Sequence, residues 1–186
     1  MATAAHGQPH SVSTTRRGAV QAVSAATAGR YVLAGLRLGM AWIFLWAFVD
    51  KLFGLGYGTP SNGAWVNGGS PTKGFLSSSA TGPFAGFYRD IAGAGWADWL
   101  FMLGLAGIGL VLLTGIGMRI GTIAGAVLMM MMWSVVLPPA DNLFLDDHVI
   151  FAGLLVVFLL LRSGDTLGLG RWWSNTALVR RMPWLR

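Results

Sequence analysis

The stretch LPPADNLFLDDH at 137–148 gathers Asp141, Asp146, Asp147 and His148, three of the chain's seven acidic residues and its one histidine beyond position 10. An aspartate touching an imidazole can relay a proton near neutral pH, because histidine is the side chain that ordinarily titrates there. A structural use fits the same residues. Asp146 stands where a helix N-cap belongs, its carboxylate accepting backbone N–H groups two or three residues on, and acids are favoured near the positive end of a helix dipole. A cap needs only one aspartate, and successive helical side chains diverge by about 100°. Asp146, Asp147 and His148 therefore cannot share one role, and at least one should face inward. No HxxxH, ExxH or cysteine-based ligand spacing accompanies them, which argues against a metal site.

Two further groups invite chemistry. Trp42, Trp46 and Asp50 recur at every fourth position and so line one helix face, with Lys51 adjacent. On one reading they are an aromatic belt residue and interfacial charges. On the other, Trp42 lies about 12 Å below Asp50 at 1.5 Å per residue, deep enough for a cofactor pocket or the bundle core. Arg37 lies deeper again; it either snorkels to the nearer surface or faces the bundle, where an intramembrane arginine is a functional candidate. The loop GYGTPSNGAWVNGGSPTKGFL implies successive turns whose N–H groups can converge on an anion, with Lys73 supplying charge, although the same composition suits a plain surface loop. Phe75, Phe84, Phe87 and Tyr88 favour a loop that dips back toward a membrane.

The elements that must position these residues are apolar. Of 186 residues 54% are hydrophobic and 11% charged, with no glutamate, which excludes an ordinary soluble domain. The net charge of +6 lies on residues flanking apolar runs and not along a basic stripe, so it points to anionic lipid and away from nucleic acid. With no cysteine the chain can carry no disulfide, no covalently attached haem and no thiolate-ligated iron–sulfur cluster.

Apolar segments at 31–49, 99–116 and 120–137 are long enough to cross a ~30 Å hydrocarbon core, at 1.5 Å rise per residue. The fourth, 149–161, reaches only about 20 Å, so a spanning helix is expected to recruit LFLDDH and run over 143–161. Four crossings place ten arginines on one side and Lys51, Lys73 and Arg89 on the other, which puts both termini in the cytoplasm. The expected architecture is an all-α membrane protein: a four-transmembrane-helix bundle at 30–165, a disordered tail at 1–29, and an amphipathic basic tail at 166–186 resting on anionic headgroups. A long, partly re-entrant outer loop joins helices 1 and 2. Gly35 with Gly39, and Gly117, Gly121 and Gly125, have the spacing of close helix packing.

WAFVDKLFGLG, AWVNGGSPTKGFL and NLFLDDHVIFA, in that order, resemble the DoxX/DoxD family of four-helix membrane proteins over roughly residues 30–173. The family includes the membrane subunit of thiosulfate:quinone oxidoreductase, and other members are associated with sulfur-handling or antioxidant enzymes. The resemblance implies a bacterial or archaeal plasma-membrane protein that passes electrons from a small sulfur oxyanion to membrane quinone. Substrate contacts would fall on Lys51, Asn67 and Lys73, proton handling on Asp50, Asp147 and His148, and the quinone pocket on Trp42 and Trp46. Quinone would be its cofactor, and a second redox subunit or respiratory complex its partner. The alternative it implies is a non-catalytic scaffold that docks a redox or respiratory enzyme.

Overall fold

The computed structural model describes residues 11–140 and 142–186. Asp141 lies outside them, and with it that part of the acidic cluster. All regular elements among the described residues are helical: α1 (Ser11–Phe53), α2 (Lys73–Ser78), α3 (Ala85–Asp90), α4 (Gly95–Thr114), α5 (Met118–Val135), α6 (Asp147–Leu160), α7 (Gly170–Ser174) and α8 (Ala177–Arg181), with short 3-10 turns between them. Val23–Phe53, α4 and α5 are long and apolar enough to cross a membrane. They expose Leu36, Ile43, Leu100, Leu103, Leu110, Ile123 and Val127 as freely as a soluble helix exposes lysines, which is stable only against lipid. Of the tail expected at 1–29, residues 1–10 lie outside the described residues, and from Ser11 onward the chain is helical and continuous with α1.

Helix α1 packs on α4, α4 on α5, and α5 on α6, around one core that includes Met40, Phe44, Met102, Leu105, Leu112, Leu155 and Phe158. The α4–α5 hairpin turns on Gly115 and Gly117, both at positive φ, where a side chain would be strained. Close packing uses some of the expected glycines and not others. Gly121 lies against Val111, and Gly125 sits between Ile108 and Leu155, whereas Gly35 and Gly39 face open space.

Arg37 does not snorkel. It is fully buried and grips the end of the bundle, Nη1 donating to the Leu112 and Leu113 carbonyls and Nη2 to those of Thr166 and Leu167 at 3.2 and 2.9 Å. The α4 carbonyls belong to the last turn of a helix, where main-chain acceptors lack partners and the dipole is negative, so a guanidinium is well placed there. Arg37 thereby ties α1, α4 and the segment after α6 into one layer.

The sequence expectation for the fourth helix is corrected. Helix α6 begins at Asp147 and takes only Asp147 and His148 of LFLDDH: Asn142 Oδ1 accepts from the Phe144 and Leu145 N–H groups and holds the preceding stretch as a turn, while Asp146 is the extended N-cap. The reason is the separation of the polar layers. From Arg37 to Asp50 along α1 is about 20 Å, and from Asp98 to Leu112 along α4 about 21 Å, at 1.5 Å per residue. The fourteen residues of α6 match that span unaided.

Candidate functional site at the loop end

Residues 54–94 form a folded cap over one end of the bundle. Its own small core, Ala80 and Tyr88 against Val135, is closed by the Tyr88 hydroxyl on Ser134 Oγ at 2.6 Å, and Trp65 meets Trp99 edge to face at 4.6 Å. Of the aromatic residues expected to dip inward, Tyr88 is buried and Phe75 half-buried; Phe84 and Phe87 are exposed.

Two carboxylates anchor this cap. Asp50, buried at the end of α1, accepts from the Tyr57 and Gly58 N–H groups at 3.2 and 3.0 Å and so closes the turn that follows the helix. Asp98, buried in the first turn of α4, accepts from Ser70 Oγ, Thr72 N–H and Thr72 Oγ1 at 2.8, 3.0 and 2.6 Å on a single oxygen. Ser70 Oγ in turn accepts from the Lys73 N–H at 3.1 Å, and the Lys73 stem rests against Gly93. Asp98 is the residue sequence reasoning missed. The available signal was an acid one turn inside an apolar helix, where it must find partners, and a Ser-Pro-Thr loop rich in donors.

Between these anchors opens a cleft of about 820 Å³, lined by Lys51, Gly58, Thr59, Ser70, Lys73 and Ser78 among others. It joins two lysines that lie in separate elements, Lys51 from the last turn of α1 and Lys73 from the first turn of α2. Lys51 is half-buried, its ammonium 6.0 Å from the Phe101 ring centroid. Two cations lining one cleft form a wall suited to a small oxyanion.

The other expected site residues lie elsewhere. Asn67 is exposed, its Nδ2 donating to the Ser61 carbonyl at 2.8 Å, so it braces the loop and does not line the cleft. Trp42 stacks on Trp46 at 5.6 Å, and Trp46 meets Tyr57 edge to face at 5.2 Å. This ladder lies outside the bundle core, Trp42 being 64% exposed, and runs along the lipid-facing side of α1 up to the cleft rim. Asp146 is a working cap: Oδ1 accepts from Val149 N–H at 3.3 Å, and Oδ2 lies 2.7 Å from His148 Nδ1. That pair is half-buried, whereas Asp147 is exposed, and neither Asp147 nor His148 lines the cleft. Trp133 Nε1 donates to the Phe144 carbonyl at 2.8 Å and fixes this corner on α5, at the same end of the bundle. Among the described residues no three His, Asp, Glu or Cys side chains are gathered as metal ligands.

Comparison with protein-family models, with curated proteins and with solved structures finds no match to this chain.

Proposed function

We propose that the chain is a DoxD-like membrane subunit that binds a small sulfur oxyanion, thiosulfate in the first instance, in the Lys51–Lys73 cleft and delivers its electrons to membrane quinone. The meeting of these two lysines in one cleft carries the reading. Two thiosulfate dianions joined through a new S–S bond release two electrons as tetrathionate. Quinone, when bound, takes up those two electrons with two protons. The chain's own part is to hold dianions beside two fixed cations, where charge-assisted hydrogen bonds are strongest, and to offer quinone an apolar aromatic face next to them. The ladder of Trp42, Trp46 and Tyr57 suits that face, since Tyr57 directly precedes Gly58 on the cleft wall. Asp50 keeps the rim in place, and His148 with Asp146, together with Asp147, are the proton-carrying groups of the same end.

In this reading α6 is a fourth crossing, residues 54–94 cap the periplasmic face, and both termini are cytoplasmic, a placement the arginines at the far end support. The protein resides in a bacterial or archaeal plasma membrane.

Membranes containing the protein, with its redox partner where one is required, should reduce a quinone analogue when given thiosulfate. Lys73→Ala should raise the half-saturating thiosulfate concentration about tenfold, the worth of one charge-assisted contact, with the maximal rate largely kept. A folded chain that supports no thiosulfate-dependent quinone reduction with any partner composition sinks the proposal. The scaffold reading draws on a different observation, the exposed Trp172, Trp184, Arg180 and Arg181 of the C-terminal segment. Co-purification of a redox enzyme that survives Lys73→Ala but is lost in an Arg180→Ala, Arg181→Ala double variant would favour it.

A further inference from the structure

The opposite end of the bundle carries a second constellation that the proposed reaction does not use. Arg119 at the start of α5, Arg162 just beyond α6, and Arg186 line one cavity of about 200 Å³, together with Trp173 and Asp165. All three arginines are exposed, but the main chain that carries them is fastened in place. Arg119 N–H donates to the Arg186 carbonyl at 3.1 Å, and Trp173 Nε1 donates to the Leu185 carbonyl at 2.8 Å, so the C-terminal segment is fastened across the mouth of the α4–α5 hairpin. Val179 of α8 is buried.

Side-chain charge in the cavity is unbalanced. Its side chains supply three guanidinium groups and one carboxylate, Asp165, which is already paired with Arg162 Nη2 at 3.1 Å. No other acidic residue follows Asp147 in the chain. Arg162 also holds a left-handed backbone, φ 52° and ψ 46°, directly after the helix end, a position where glycine is favoured and a branched side chain is strained.

One wall is apolar. Met118 and Leu159 belong to the ends of α5 and α6, so the cavity sits where the apolar helices stop and the arginine-rich segment begins. A free inorganic anion has no use for that wall. The phosphate of a lipid, with its glycerol and acyl chains continuing down the outside of α5 and α6, uses both halves, and a tryptophan at headgroup level suits the same boundary.

We infer that this cavity is a binding site for the headgroup phosphate of one anionic phospholipid, phosphatidylglycerol in type, held by Arg119, Arg162 and Arg186. The bound lipid clasps the end of α5 to the end of α6 and to the C-terminal segment. This site stands independently of the reaction at the loop end.

The test uses the full chain reconstituted from equal phosphatidylglycerol and phosphatidylcholine and examined by native mass spectrometry for retained lipid. One phosphatidylglycerol should be retained in preference to phosphatidylcholine. Arg119→Gln and Arg162→Gln should each lower that retention about tenfold, and Arg119→Lys should restore part of it. Arg180→Gln and Arg181→Gln remove the same charge from exposed positions of α8 and should change it less than about twofold. Because Arg162 also holds Asp165, the judgement rests on Arg119, which takes part in no ion pair among the described residues. Equal retention of the two lipids, or equal losses in cavity and α8 variants, overturns the inference. So does displacement by inorganic phosphate at the concentration at which dihexanoylphosphatidylglycerol displaces the lipid, since the site would then serve a soluble anion.

Discussion

Asp98 and Asp147 illustrate how little residue type says without surroundings. Both are aspartates in the first turn of an apolar helix, yet Asp98 is buried under three donors and Asp147 is exposed. Asp98→Asn keeps the shape but removes the charge from those hydrogen bonds, which should lower stability by about 1–2 kcal/mol and the melting temperature by about 2–8 °C in a detergent-solubilised thermal scan. The same variant loosens the turn carrying Lys73, so it should also raise the half-saturating thiosulfate concentration. Asp147→Asn should leave the melt within about 0.5 kcal/mol of the parent. Equal effects of the two substitutions would show that the Asp98 network contributes nothing beyond surface charge. Sequence reasoning singled out Lys51 and Lys73, which line one cleft, and the capping use of Asp146, which forms. It passed over Asp98 because its partners lie more than twenty residues away.

At the scale of elements, the glycine pattern separates into packing and non-packing positions. A Cβ at Gly121 would collide with Val111 on α4, whereas one at Gly35 meets nothing. Gly121→Ala should therefore cost about 1–3 kcal/mol as α4 and α5 are forced apart, and Gly35→Ala should be neutral or stabilising by up to about 1 kcal/mol from helix propensity. Unfolding of the two variants side by side in one detergent checks this; a loss at Gly35 equal to that at Gly121 would mean that α1 buries its glycine face against another chain. The spacing of these residues in the sequence was the same in kind, and only the partner helix distinguishes them. Helix α6 makes the parallel point. Its N-cap is written locally in Asp146, whereas the polar layers that its length matches lie on other helices, at Arg37 and Asp98.

For the whole molecule, those polar layers lie only about 20 Å apart, thinner than a typical hydrocarbon core of ~30 Å. Mismatch of this kind is relieved by local thinning of the bilayer, at a cost that grows with lipid length. The protein should be most heat-stable in phosphatidylcholine bilayers with short acyl chains and lose stability steadily as the chains lengthen. A melting temperature that rises with chain length would show that the buried Arg37 layer lies outside the hydrocarbon.

What the amino-acid order settled alone is what depends on composition and short spacing: an all-helical chain, three helices able to cross a membrane, an arginine-rich end opposed to an acidic one, and a capping aspartate. These follow from apolar run length, from main-chain groups that must bond to each other where water is absent, and from contacts between residues two to four apart. What only the tertiary structure decided is which distant groups meet. It brought Lys51 to Lys73, buried Arg37 against four carbonyls, turned the Trp42–Trp46 face outward, and matched a fourteen-residue helix to its neighbours. Such meetings depend on how helices pack around a common core, and the order of residues along one helix carries no record of what lies across from it.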